Sequence, residues 1–260
     1  MKKHLSLLLS ILILTIILFN NLSVYAFSSY TTDPIDTSTL NDLTQITEVS
    51  EDPYSAFIDD SYYNITNDYL TTIINKLSSL PPSGNPCIDY LGEEILLHRA
   101  ILFTSHIIQG YTSNPELIDI TDDIIENYTG ELKEMRIELA KLIDNSKKNN
   151  SSKFDDSYYK EFNPIANKLS TDFSKISSKD SNDLTYIKEV LILLQASHDI
   201  ADIDSICTNN DLVSKISKNS LTNTSGYISR LTTLKNSIKS WPPVKRVVCS
   251  APERLCCWLC

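Results

Sequence analysis

The pentapeptide Asp59-Asp60-Ser61-Tyr62-Tyr63 returns as Asp155-Asp156-Ser157-Tyr158-Tyr159, 96 residues further along the chain. The same offset pairs Asn67 with Asn163, Tyr90 with Tyr186 and Gly130 with Gly226. It sets Ile228 against Leu132 and Leu231 against Met135. A unit used twice constrains the fold before any helix is assigned, because each copy must be one structural module with its own apolar face. It also supplies an internal control, since every residue of interest has a counterpart.

The apolar positions within each copy recur at helical spacing. In the first copy Tyr63, Leu70, Ile73, Leu77 and Leu80 share one face, answered by Tyr159, Ala166, Leu169, Phe173 and Ile176. A second helix is expected from Asn85-Pro86, a cap residue followed by a proline whose absent N–H would be unpaired anyway. Its stripe is Leu91, Ile95, His98, Leu102 and Ser105, with Gly110 able to close it, and the second copy offers Ile187, Val190, Leu191, Leu194 and Ala201. A third helix follows Asn114-Pro115-Glu116 with Leu117, Ile124, Tyr128, Met135, Leu139 and Leu142 inward. Val213, Ile216, Ile228, Leu231 and Ile238 are its equivalents. The expectation is an all-α protein in which two three-helix repeats form one antiparallel four-helix bundle, the first helix of each copy flanking it. Only five glycines in 260 residues fit that class better than a β-sandwich.

The organisation along the chain follows. Residues 1–26 carry Lys2-Lys3, an apolar run from Leu5 to Phe19 and Val24-Tyr25-Ala26, the pattern of a secretory signal peptide. Residues 27–56 read as a flexible leader, 57–146 as the first repeat and 154–240 as the second. The polar stretch 144–153 joins them. Residues 241–260 change composition abruptly: Trp241, Trp258 and Cys249, Cys256, Cys257 and Cys260 crowd a tail expected to be disordered. Cys87 and Cys207 lie near opposite ends of the second helices of different copies, and nothing in the sequence pairs them. The chain is read as secreted or held at the cell surface, with no membrane span once the leader is cut. Its net charge is −10, and loss of Lys2 and Lys3 makes it more negative. Nucleic acid and anionic membranes are therefore poor partners.

Several groups could carry chemistry. Glu94 and His98 stand four apart, on one helical face. Glu131 on the third helix approaches them if the bundle pairs those helices. Carboxylate plus imidazole suits a divalent transition metal. The competing reading is a buried histidine hydrogen-bonded to Glu131 or Glu94. The acid pairs at 59–60 and 155–156 sit where they stabilise helix N-termini. The repeated tyrosine pairs read as structural, and an interaction surface is the alternative. His106 and His198 stand alone. No nucleophile, base and acid come together, and no glycine-rich phosphate loop occurs. The chain is therefore read as not an enzyme.

The stretch Ser83-Gly84-Asn85-Pro86-Cys87-Ile88-Asp89-Tyr90-Leu91 with Ile95 and His98 resembles an exported bacterial family. So does Asn114-Pro115-Glu116-Leu117 with Ile124-Ile125, Tyr128, Glu131-Leu132 and Met135. It is the ferritin-like helical group catalogued as domain of unknown function 305, and the chain resembles a tandem copy of it over about residues 60–145 and 156–240. The resemblance implies a ferritin-like bundle and a metal site, copper above all, built from His and Met. At the family's ligand positions this chain has Glu94, Leu97, His98, Tyr128, Glu131 and Met135 in the first copy. In the second it has Val190, Leu193, Leu194, Thr224, Tyr227 and Leu231. Glu94, His98, Glu131 and Met135 are thus the metal candidates, for copper or zinc. The function expected is an exported structural or interaction module with a degenerate metal site, serving an unidentified protein or cell-envelope partner. The alternative is an extracytoplasmic transition-metal-binding protein. On the module reading, His98→Ala and Glu131→Gln are expected to leave stability nearly unchanged.

Overall fold

The computed structural model describes residues 61–148, 155–203 and 210–240. The stretches read as signal peptide (1–26) and leader (27–56), Cys207 and the cysteine-rich tail lie outside them. Six helices follow in order: α1 (Tyr62–Ser79), α2 (Pro86–Gln109), α3 (Pro115–Lys148), α4 (Ser157–Phe173), α5 (Asn182–Ala201) and α6 (Asp211–Ser240). Among the described residues there is no strand, as the helical spacing predicts.

The repeat is visible in the helix starts. Pro86 and Asn182, and Pro115 and Asp211, are the same positions in the two copies. The caps repeat as well. The Asn114 side-chain oxygen accepts from the N–H groups of Glu116 and Leu117 at 3.0 and 3.2 Å. Asn210, its counterpart, accepts from Leu212 and Val213 at 3.0 and 3.1 Å. Gly84, at φ 77°, makes the left-handed turn before α2, and its carbonyl accepts the Asp155 N–H at 3.1 Å, tying the start of the second unit to the first.

The four long helices border one another in a ring: α2 on α3 and α5, and α6 on α5 and α3. Neighbours run antiparallel. Between α2 and α5, Glu94 meets Ser197 while Ser105 meets Tyr186. Between α3 and α6, Asn127 meets Tyr227 while Asp119 meets Arg230. The shorter α1 and α4 pack on each other, α1 also on α2 and α4 also on α5. One continuous apolar core runs through both units. α2 is its centre, buried on almost every side, whereas α5 leaves Leu191 and Ile192 partly uncovered.

Four details depart from the sequence reading. In α1 and α4 the buried tyrosines are Tyr62 and Tyr158; Tyr63 and Tyr159 are only partly covered. The rest of the expected stripe keeps its phase, with Leu70, Ile73, Leu77 and Leu80, and Ala166, Leu169 and Phe173, all buried; only the tyrosine position moves back by one, where the hydroxyls of Tyr62 and Tyr158 find buried partners. α3 continues to Lys148, so half of the expected linker is helix. Its last turns put Ile143, rather than Leu142, fully inside. Gly110 ends α2 in a right-handed conformation, φ −78°, so the α2–α3 turn makes no use of a left-handed glycine cap.

Candidate functional site

The bundle interior is polar at several levels, and the repeat organises it. At one level the first helix of each unit reaches into the other unit. The Tyr62 hydroxyl on α1 donates to Glu189 on α5 at 2.7 Å, and the Tyr158 hydroxyl on α4 donates to Glu93 on α2. Glu93 and Glu189 are counterparts, as are Tyr62 and Tyr158, so the two bonds form a swapped, pseudo-twofold pair. Thr66 adds its hydroxyl to Glu189 at 2.9 Å. Burial drives the Glu93 carboxyl well above the usual range, only partly offset by the tyrosine bond. Burial likewise raises Glu189 to about 7, against the pull of the Tyr62 and Thr66 hydroxyls. Neither glutamate was singled out in the sequence. The signal that could have found them is the repeat itself, since the same glutamate stands in an apolar helix in both copies.

A second swapped pair lies between α3 and α6. The Asn127 amide donates to Tyr227 at 2.5 Å, and the Asn223 amide donates to Glu131. Here the amides match and the acceptors do not: Glu131 in the first unit stands where Tyr227 does in the second.

Glu131 leads to the centre. His98 is fully buried, its Nε2 3.0 Å from Glu131 Oε2. Its Nδ1 lies 3.0 Å from the Glu94 carbonyl and 3.2 Å from Glu94 Oε2. Both carboxylates flank the ring, and the Tyr128 ring lies against it with centroids 4.3 Å apart. Glu94, also fully buried, accepts the Ser197 hydroxyl at 2.8 Å. Burial alone would lower the His98 pKa. The hydrogen bonds to Glu131 and Glu94, with their charges, more than offset it and push it to about 9, so the ring is an imidazolium at neutral pH.

Three of the four residues considered as metal ligands therefore converge. Met135 is buried one turn beyond Glu131 on α3. Among the described residues no set of three or more His, Cys, Asp or Glu side chains has the geometry to hold a metal ion. His98 engages both nitrogens with protein oxygens, which matches the hydrogen-bonded reading of the sequence, with Glu94 and Glu131 both taking part.

Among the described residues two buried tyrosine hydroxyls have no hydrogen bond of ordinary length, those of Tyr90, which Ser217 and Ser220 approach, and Tyr128. The repeat explains the first. Tyr186, the counterpart of Tyr90, bonds Ser105 at 2.9 Å, whereas the counterpart of Ser105 is Ala201. Asp89 is buried with Oδ1 accepting the Ser83 N–H at 2.8 Å, and burial raises its carboxyl to about 7. His198 is partly exposed, with Nδ1 3.7 Å from Asp199. Of the acid pairs, Asp155 accepts the Ser157 N–H at 2.9 Å, a turn contact at the start of α4, and Asp59 and Asp60 lie outside the described residues. Cys87 is disulfide-bonded. It is the one cysteine of the described residues. No described helix is long and apolar enough to cross a membrane. The chain matches no protein-family model, no curated protein and no solved structure.

Proposed function

We propose that this chain is an exported helical binding module, and that the Glu94, His98 and Glu131 cluster is a structural ion-pair network rather than a metal centre. One observation carries the second half of this reading: both ring nitrogens of His98 face protein oxygens, two of them carboxylate. A metal needs a bare lone pair on neutral imidazole. An imidazolium held between two carboxylates has none to offer. The swapped bonds that lock the two units together support a scaffold whose interior serves its own stability. The leader sequence and the disulfide at Cys87 support export, because such bonds persist in oxidising compartments. The resemblance to the exported ferritin-like family supports a secreted or surface location. The antiparallel ring of α2, α3, α6 and α5 fits that family's bundle.

The competing reading, a copper or zinc protein, draws on the convergence of Glu94, His98 and Glu131 and on the unpartnered Tyr128 hydroxyl beside them. Metal content of the chain purified from its host, and the melting temperature with added Cu(II) or Zn(II) at pH 7, separate the two. No bound metal and no shift are expected. Stoichiometric metal, lost on His98→Leu replacement, would overturn the proposal.

A further inference from the structure

One corner of the bundle is closed by polar bonds in the first unit and left open in the second. Where the end of α3 meets the start of α6, Glu138 is buried; it accepts the Asn210 amide at 3.0 Å and pairs with Lys141 at 3.3 Å. The 96-residue offset sends Glu138 to Leu234, Lys141 to Ser237, Leu142 to Ile238, and Asn210 back to Asn114. Leucine has no acceptor, so the bonds that close the first corner cannot form in the second. There, between the end of α6 and the start of α3, lies a cavity of about 410 Å³ lined by Asn114, Glu116, Leu234, Ser237 and Ile238. Ile238 remains only partly buried beside it.

The next residue on the same helical face is a tryptophan. Trp241 stands seven, four and three positions after Leu234, Ser237 and Ile238, the spacing of one apolar stripe. Its counterpart in the first unit is Asn145, where the polar bonds already close the corner. α6 ends at Ser240, and Pro242 disfavours a helical conformation at position 241. Trp241 therefore follows directly on the turn that lines the cavity, with no linker to span. Its chemistry suits the place as well. A tryptophan buries about 150–250 Å² and carries one N–H that needs an acceptor. The cavity offers Leu234 and Ile238 to the ring and the Glu116 carboxylate to the N–H. Val244, Val247 and Val248 lie further along and bring no such donor.

We infer that Trp241 seats in this cavity and pins the start of the 241–260 segment to the first turn of α3. The seat is at the end of the bundle where α2 turns into α3. Cys87 is at the other end of α2, about 33 Å from Gln109 at about 1.5 Å per residue. Cys249, Cys256, Cys257 and Cys260 are thus carried from the end remote from Cys87. No residue of the cavity belongs to the His98 cluster, so the metal test and this one fail separately.

The chain has two tryptophans, and Trp258→Phe leaves Trp241 as the only indole. Tryptophan fluorescence of that variant of the mature full-length chain is the readout. Native emission should lie to the blue of the urea-unfolded chain, and acrylamide should quench it severalfold less. Ile238→Glu places a carboxylate in the seat, and emission and quenching should move to the unfolded values while helical circular dichroism is kept. Glu116→His tests the contact from the α3 side. A protonated imidazole quenches an indole it touches, so emission should fall as pH drops through about 6.5, by more than it does with Glu116 in place. Trp241→Ala should lower the melting temperature by at least about 2 °C. Native emission as red and as quenchable as in urea overturns the proposal, as does protection unchanged by Ile238→Glu or a melting temperature unmoved by Trp241→Ala. If Ile238→Glu unravels the helix end, absence of the pH step with Glu116→His overturns it instead. Two results assign the seat to another occupant and also overturn it: a Glu116→His step that appears when Trp258 alone reports, in Trp241→Phe, and protection of Trp241 that disappears on dilution, which marks a second copy of the chain.

Discussion

Replacing His98 by leucine, the residue at the same place in the second unit, isolates the worth of the buried imidazolium. Leucine fills a comparable volume, so little of the loss comes from a cavity. What disappears is the one cation that faces Glu94 and Glu131 among the described residues, and Glu94 has no solvent exposure. Removing one partner from a buried ion pair costs about 3–5 kcal/mol, because the remaining charge is stranded. Domain stabilities are about 5–15 kcal/mol, so the loss is a large part of the total. For a chain of this size it corresponds to a fall in melting temperature of about 6–20 °C. This reverses the near-neutral outcome that a decayed metal site implied. The same reasoning sets a rescue. The triple change Glu94→Val, His98→Leu and Glu131→Tyr copies Val190, Leu194 and Tyr227, and it gives Asn223 a tyrosine hydroxyl as Asn127 already has. Buried ion triads can be replaced by packed residues at no net cost. The triple variant should therefore recover to within about 1 kcal/mol of the parent. Urea unfolding at pH 7, followed by circular dichroism with comparable m-values, measures both. A single variant within about 1 kcal/mol of the parent would refute the argument, as would a triple variant no better than the single.

Stability should fall as pH rises from about 4.5 to 9. Asp89 and Glu189 have folded pKa values raised to about 7, and Glu93 is also raised, so their contribution is present below the usual carboxyl range and lost as pH climbs through 7. His98, at about 9, keeps its contribution below about 6.5 and loses it through 9. A melting temperature higher at pH 8 than at pH 5 would contradict this sign. Tyr62→Phe and Tyr158→Phe should each cost about 1–3 kcal/mol in the same unfolding assay, since each removes a donor from a buried carboxyl; two neutral results would show that the swapped pairs are unimportant. Non-reducing peptide mapping should join Cys87 to Cys207. The antiparallel register brings the start of α2 to the end of α5, and Cys207 lies four residues beyond Ile203, the last described residue there. Recovery of Cys87 with a cysteine of 241–260 would refute that.

The helices were legible because two independent signals agreed, the apolar spacing and the 96-residue offset. The site was legible only in part. Glu94, His98 and Glu131 stand at positions whose meeting follows once α2 and α3 are known to be neighbours. The swapped tyrosine and glutamate pairs were not found, because a glutamate in an apolar helix looks like a surface residue until the facing helix is placed. The open groove along α4 and α5, lined by Leu169, Leu191 and Ile192, was hidden for the opposite reason. Its floor reads as core in both copies, and only the loss of the Tyr69 and Phe103 pair in the second shows that it is uncovered.

The asymmetry of the centre has a physical source beyond lost ligands. The register of the Glu94–Ser197 and Ser105–Tyr186 contacts brings residues 97 and 98 level with 193 and 194, their own counterparts. Near such a pseudo-twofold axis, any charged residue kept in both copies meets its own kind. Two imidazolium rings and two pairs of carboxylates would crowd one dry interior, with like charges destabilising each other. One copy must therefore be apolar there, and Val190 and Leu194 are. Introducing Val190→Glu with Leu194→His should accordingly cost at least about 3 kcal/mol in unfolding free energy, although it restores the symmetry of the sequence. A variant as stable as the parent would mean that the centre holds more charge than its burial allows, and that the one-sided arrangement reflects ancestry alone.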